Sequence, residues 1–334
     1  MKAHIGMKRV NEQKGMSLVE LMIALLIGLL LSGAIVTVYI SNKKTYWDSE
    51  AAAALQENSR FAMKLIANDL RMAGYYGNVD HKNIENKLSA TIADGDSCKM
   101  PGSTTRSEYQ YDISVWVVPA NSASPNCKPA NVLPGSDILF VKHAAKESSN
   151  GTSTDKTYIV SGLVDSAAHY VGASDLANKV APSGEYPDGE IREYLYYAYY
   201  ISKVKDEVFP QLRRRTFGYV SGSPDWYTET VADGIEDIYF KFGLDTDTNP
   251  DGFADTYVDA ATINLEASLD WSQVIAAKIY LLAQSTKSDL TFTDEKAYRY
   301  RDANAAPLGG HYHRKLLETT VTFFNNQMER VRGL

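Results

Sequence analysis

The stretch that decides the fold is Lys14-Gly15-Met16-Ser17-Leu18-Val19-Glu20-Leu21-Met22-Ile23-Ala24, which opens an apolar run from Leu18 to Ile40. Only Glu20, Ser32, Thr37 and Tyr39 interrupt the apolar character of that run. At the helical rise of about 1.5 Å per residue it reaches roughly 35 Å, enough to cross a bilayer. The fifteen residues before Met16 carry Lys2, Lys8, Arg9 and Lys14 against Glu12. A basic flank is held on the cytoplasmic side, so the remainder of the chain is expected on the far side. After the run the chain continues into Ser41-Asn42-Lys43-Lys44, without the small-residue cleavage site of a secretory signal, so the helix is expected to be retained.

Glu20 is the anomaly. A carboxylate in an apolar helix is costly and needs a partner. No Lys, Arg or His lies between Met16 and Lys43. The residues alone leave two readings open: a plain anchor with Glu20 near the headgroups, or a helix that meets a cation on another molecule.

The pattern of Gly15, Met16 and Glu20 at the head of an apolar helix resembles the processing site of type IV prepilins and type II secretion pseudopilins. The resemblance implies cleavage by prepilin peptidase after Gly15, methylation of the new amine on Met16, and Glu20 as fifth mature residue. Met16 stands where the family usually has Phe. The family logic pairs Glu20 with the terminal amine of a neighbouring subunit, which makes a buried carboxylate tolerable. Gly28 and Gly33 would thin the helix for close packing. The expected fold is α+β and pilin-like: a long N-terminal transmembrane and amphipathic helix packed on an enlarged antiparallel β-sheet head.

Expected organisation follows: leader peptide 1–15, assembly helix 16–40, amphipathic helix 41–77, and a periplasmic β-rich head 78–334. Leu55, Phe61, Leu65 and Met72 recur at helical spacing, and Gly74 and Gly77 end the helix. Leu55-Gln56-Glu57-Asn58-Ser59-Arg60-Phe61-Ala62 and Asp69-Leu70-Arg71-Met72-Ala73-Gly74-Tyr75-Tyr76-Gly77 resemble the PilW family of minor pilins. That likeness fades through the middle and returns from about Gly234. It implies a minor pilin that primes type IV pilus assembly near the filament tip. The implied partners are other minor pilins, the major pilin, a PilY-type tip adhesin and an inner-membrane assembly platform. Before assembly the subunit would be a single-pass inner-membrane protein. A minor pseudopilin of type II secretion, and a tip adhesin or DNA-binding module, are the alternatives.

Beyond Gly77 the period changes from helical to alternating. Strands are expected at 112–118, with Ile113, Val115 and Val117 on one face, and at 137–141, 193–202, 208–220, 235–242, 273–283 and 319–324. Residues 146–156 read as a surface loop, and 165–190 resist assignment. The formal charge is -7, and without its basic first fifteen residues the body is near -10, a poor general binder of nucleic acid. At 44% hydrophobic and 22% charged residues, disorder over most of the chain is excluded. Cys98 and Cys127 form no CxxC; in an exported body they read as a disulfide, or else as two free thiols.

The strongest motif in the body is Asp245-Thr246-Asp247-Thr248-Asn249-Pro250-Asp251-Gly252-Phe253-Ala254-Asp255. Short acidic side chains on alternate residues, with a glycine for the turn, suit a hard cation such as Ca²⁺. Read from Asp247, the ligands are Asp247, Asn249, Asp251, the Phe253 carbonyl and Asp255. Val258 then occupies the twelfth position and Asp259 follows one place late. A wider register adds Asp245. A structural Ca²⁺ in the 245–259 loop is therefore expected, against a solvated turn. Arg213-Arg214-Arg215 reads as a strand with local salt bridges rather than a nucleic-acid stripe. Tyr194, Tyr196, Tyr197, Tyr199 and Tyr200 read as rings covering a sheet, with a sugar platform as the alternative. His311 and His313 share a face without an evident third metal ligand. With no HExxH, nucleophile elbow or phosphate loop, the expectation is a protein that is not an enzyme.

Overall fold

The computed structural model describes residues 15–88, 111–119, 129, 131–149, 151–163, 166–172, 176–203, 209–266, 268–301 and 304–332. Cys98, Cys127 and the leader through Lys14 lie outside these residues. The chain divides into two compact units, Met1–Ala51 and Ala52–Leu334.

Helix α1 spans Leu18–Met72. A 3-10 turn at His81–Asn83, the first of two (the other is Trp271–Gln273), leads to β1, Ile84–Asn86. Then come β2 (Val115–Pro119), β3 (Asp137–Ala144), β4 (Thr157–Ser161), β5 (Ala167–Val171) and the one-turn α2 (Leu176–Lys179). The chain continues through β6 (Glu190–Ser202), β7 (Gln211–Val220), β8 (Ser223–Asp233) and β9 (Ile235–Leu244). It ends with β10 (Thr256–Asp259), α3 (Ala260–Leu265), β11 (Val274–Gln284), β12 (Arg314–Thr322) and α4 (Phe324–Arg332).

In the first unit the helix has no internal cover: every described residue from Gly15 to Glu50 is exposed. In the second unit the same helix buries one stripe, Leu55, Ser59, Ala62, Met63, Ile66, Ala67 and Leu70. This corrects the sequence reading at Phe61, which is 52% exposed. Alanines carry part of the buried stripe because a small side chain lets a helix approach its neighbours closely, so size outweighs hydrophobicity there. The helix stops at Gly74, whose φ of +73° is left-handed. A Cβ at this position would sit 2.6 Å from Asn326 Oδ1, so glycine is required for the turn and for the close approach of α4.

Among the described residues the strands form two sheets. The larger has eight strands in the order β1-β5-β4-β6-β3-β2, with β7 on β6 and β8 on β7. All pairs are antiparallel except β1 with β5, which is parallel. The 13-residue β6 is its spine: 190–193 pair with β4, 194–199 with β3, and 197–202 with β7. The smaller sheet, β10-β9-β11-β12, is wholly antiparallel. Its β9 packs on β3, β6 and β7 of the larger sheet. That contact closes a core containing Phe140, Phe240, Phe242 and Tyr199, each 0% exposed. Burying side chains of this size contributes about 1.5–3 kcal/mol each.

Strand β2 is buried on both faces, because Trp116 and Val118 lie in the core beside Val115 and Val117. The alternating pattern suggested one covered face only. Trp116 stacks on Phe140 at 4.9 Å and 8°, and the Lys142 ammonium sits 4.6 Å from its ring centre. Among the buried titratable groups, His169 is held neutral, its pKa pushed by burial down to about 3. Burial pushes the Asp137 carboxyl up to about 7, against the opposing pull of Arg301.

Two arginines hold down the irregular stretch between β11 and β12. Arg314 donates to Glu236 Oε2 (2.6 Å), Asp294 Oδ2 (2.9 Å) and the Gly309 carbonyl (2.7 Å). Arg301 grips Asp237 through Nε (2.7 Å) and Nη2 (2.9 Å), and its guanidinium lies over the Tyr239 ring. Paired in this way, charges can sit against the body without an isolated desolvation cost.

Candidate functional site

At the N-terminus, Met16 and Ser17 precede a helix whose first turn contains Glu20. The Ser17 backbone N–H donates to Glu20 Oε2 at 3.0 Å, and the Val19 N–H donates to Ser17 Oγ at 3.4 Å. This reciprocal arrangement satisfies donors that a helix start otherwise leaves open. Glu20 therefore has a local hydrogen-bond acceptor role in addition to its need for a basic partner. The Ser-x-x-Glu spacing was the signal for it.

The surface above this turn is apolar on all sides. Leu29 is 72% exposed and Leu30 74%. A Cβ placed at Gly28 or Gly33 would meet nothing within 4 Å. The helix is long and apolar enough to cross a membrane. Contiguous apolar surface on this scale marks a site that is covered by lipid or by protein.

The acidic loop links β9 to β10. Asp245 is fully buried at the end of β9, whereas Asp247 and Asp251 are exposed. Their carboxylate oxygens lie within 4.8 Å of one another. Asp245 accepts the Gly252 N–H at 2.9 Å and the Asp247 N–H at 3.3 Å. Gly252 has a φ of +79°, and a Cβ there would lie 2.9 Å from Val331 and 3.0 Å from Gln327. Helix α4 staples the loop from outside: Gln327 donates to the Gly252 carbonyl (2.6 Å) and Arg330 to the Asp245 carbonyl (2.7 Å). The neighbouring carboxylate of Asp255 pushes the Asp247 carboxyl above the ordinary range, with smaller contributions from Asp251 and Asp245.

The remaining members of the expected ligand run are placed differently. Asp255 Oδ2 accepts the Thr246 N–H at 2.7 Å and its hydroxyl at 3.1 Å. Asp259 caps α3, accepting the Thr262 N–H and hydroxyl, both at 2.8 Å. Phe253 is 72% exposed, and Asn249 lies on the loop between Asp247 and Asp251. Geometry thus gathers the register that starts at Asp245. A cation there would meet carboxylates from Asp245, Asp247 and Asp251, in keeping with the oxygen donors that Ca²⁺ requires.

Other sequence candidates resolve into local structure. Arg214 pairs with Glu229 (Nε–Oε1 2.8 Å) and lies over the Tyr197 ring, while Arg213 donates to Gln211 and Arg215 lies over Trp226. The five tyrosines of β6 are each 8% exposed or less, so the run itself is no open platform. His311 donates through Nδ1 to the Phe292 carbonyl (2.6 Å), and His313 stacks on the Phe292 ring. Among the described residues no third ligand joins these histidines.

Two family models match this chain. One, the prokaryotic N-terminal methylation motif, covers residues 10–36. The other, type IV pilus-assembly protein W, covers residues 198–325, from within β6 to the start of α4. No curated protein matches the chain. With an exposed apolar helix behind a methylation motif and a β-rich body after it in sequence, the chain is similar to prepilin-type proteins of the type IV pilus class. More narrowly, residues 198–325 are similar to type IV pilus-assembly protein W, and the acidic loop falls inside that part. The 55–77 stretch that first suggested this family lies outside both matches.

Proposed function

We propose that this protein is a minor pilin that primes type IV pilus assembly and sits near the pilus tip. The observation that carries the reading is the wholly exposed apolar helix with Glu20 in its first turn, next to Gly15–Met16. Prepilin peptidase cuts Gly15–Met16 and frees the Met16 amine. In water-free surroundings Glu20 then exchanges a hydrogen bond from the uncharged Ser17 N–H for a charge pair with the amine of a neighbouring subunit. A second formal charge adds Coulombic attraction, which low dielectric strengthens. Before assembly the helix anchors the subunit in the inner membrane with its head in the periplasm. Its partners are other minor pilins, the major pilin, a PilY-type tip adhesin and the assembly platform.

The test is a deletion strain complemented with wild type or Glu20→Ala, scored for surface pili, twitching and protein secretion. Wild type restores pili and twitching; Glu20→Ala is cleaved but restores neither. Normal piliation with Glu20→Ala overturns the pairing. A defect in secretion with intact pili assigns the subunit to a type II secretion pseudopilus instead.

A structural Ca²⁺ on Asp245, Asp247 and Asp251 is the companion proposal, with the Asn249 side chain and the Phe253 carbonyl as further oxygens within the loop. It is supported by the approach of three carboxylates. Millimolar calcium then raises the melting temperature of the protein, and Asp247→Ala with Asp251→Ala abolishes the shift. No shift in the wild type rejects the ion.

A further inference from the structure

A cleft of about 340 Å³ opens in the larger sheet where β6, β7 and β8 meet the segment entering β4. That volume is at the lower end of ligand clefts, room for one or two small rings. Two ion pairs line it. Lys156 Nζ lies 3.0 Å from Glu193 Oε2, and Arg214 Nε lies 2.8 Å from Glu229 Oε1. Between them are Phe217 and Tyr227. Tyr227 is 43% exposed, yet its hydroxyl donates to the Tyr219 carbonyl at 2.6 Å, so the ring is held in place while part of its surface faces solvent.

The charges decide the ligand class. Each cation already has its anion, so an anionic ligand must separate one of the pairs to be satisfied, while Asp155, bonded to the Ser153 hydroxyl, adds a further carboxylate acceptor to the lining. The paired groups still offer unused lone pairs and N–H donors: a carboxylate accepts about four hydrogen bonds and a guanidinium donates five. Donors and acceptors therefore stand side by side, with one carboxylate in excess. Hydroxyl groups, which donate and accept at once, match that arrangement. The solvent-facing Tyr227 ring provides an apolar surface for the C–H face of a sugar.

We propose that this cleft binds a neutral sugar unit of a glycan, with Tyr227 as the stacking surface and the Glu193 and Glu229 ion pairs as its hydroxyl partners. The site stands independently of the assembly role, since none of its residues is in α1. It also relocates the carbohydrate reading from the buried tyrosines of β6 to the solvent-facing ring of β8.

The experiment is saturation-transfer difference NMR on the full-length protein in a detergent without a sugar headgroup, such as lauryldimethylamine oxide. The probes are N-acetylglucosamine and its β-linked dimer, representing cell-wall glycan, and galactose and lactose, representing surface glycan. The expected result is transfer to the ring C–H protons of at least one of the two sets, which also names the source. Tyr227→Ala lowers affinity about five- to tenfold, the size of one aromatic contact, whereas Tyr227→Phe retains it. Glu229→Gln weakens binding without loss of fold and carries the test if Tyr227→Ala melts early. Absence of transfer for all four probes, or transfer unchanged in both Tyr227→Ala and Glu229→Gln, overturns the proposal.

Discussion

One helix passes through two different worlds. From Leu18 to Glu50, α1 has no buried residue; from Leu55 to Leu70 it buries a stripe at helical spacing. The upper segment has far more apolar side chain than the lower, yet only the lower has a core to enter. Burial is decided by what surrounds a helix, and the described residues of the first unit include nothing that covers it. Hydrophobic surface of that extent is held for another molecule, lipid or subunit. The second unit inverts the arrangement: its stripe is rich in alanine and its packing is internal.

The largest effect expected from this contrast is in paired truncations along α1. Ile66→Ala, at a position 0% exposed, costs about 2–5 kcal/mol and lowers the melting temperature of the protein. Leu26→Ala, at a position 60% exposed, changes that transition by less than about 0.5 kcal/mol. Equal shifts in circular-dichroism melting would erase the distinction between the two segments.

Glycines sharpen it next. Gly74→Ala places a methyl group against Asn326 at a left-handed φ, and costs about 1–2 kcal/mol or more. Gly28→Ala meets nothing within 4 Å and gains up to about 1 kcal/mol of helix propensity. If Gly28 serves close packing in a filament, the same change lowers pilus number without lowering stability, and counting surface pili separates the two effects.

A smaller loss is expected where the head depends on a local cap. Asp259→Ala removes the acceptor at the start of α3 and costs about 1 kcal/mol, measured by denaturant midpoint. Asp259→Asn keeps an acceptor and recovers most of it. A loss of calcium response in Asp259→Asn, with stability intact, would instead return Asp259 to the ligand set.

The smallest effect is a pH dependence at the seam between the first 3-10 turn and α4. His81 Nδ1 lies 3.0 Å from Glu329 Oε1, and this hydrogen bond raises the imidazole pKa above its ordinary value. A raised folded-state pKa contributes stability that is full below the unfolded value of about 6.5 and is lost as pH rises through the folded value. Melting temperature should therefore fall slightly more between neutral and mildly alkaline pH in wild type than in Glu329→Gln. Identical slopes would show that the pair contributes nothing.

The parts of this protein that depend on local period or fixed spacing were legible. The apolar helix, the Gly15–Glu20 spacing and strands β3, β6, β7, β9 and β11 all follow from residues close in sequence. Strand β8 was missed because polar residues, among them Asp225, Thr228, Glu229 and Thr230, interrupt any apolar face. Its one local signal is the Ser221-Gly222 pair, both with positive φ, which closes a two-residue hairpin against β7. Helix α4 was missed because it is turned inside out. Asn325, Asn326 and Gln327 donate to the carbonyls of Ala73, Val274 and Gly252, while Phe324 and Met328 face outward. That polar inner face contradicts the usual amphipathic rule.

What the sequence by itself determined is the anchor. Its helix, its exposed apolar surface and its lone carboxylate depend on residues within forty positions of one another. What only the tertiary structure decided is how the loop of aspartates is shared out. Asp245, Asp247 and Asp251 converge while Asp255 turns to Thr246 and Asp259 to α3. Backbone turns and the arrival of Arg330 and Gln327 from 85 and 75 residues away made that choice. Spacing specifies which side chains are available, but a carboxylate goes to the nearest donor in space, and distant chain supplies some of those donors.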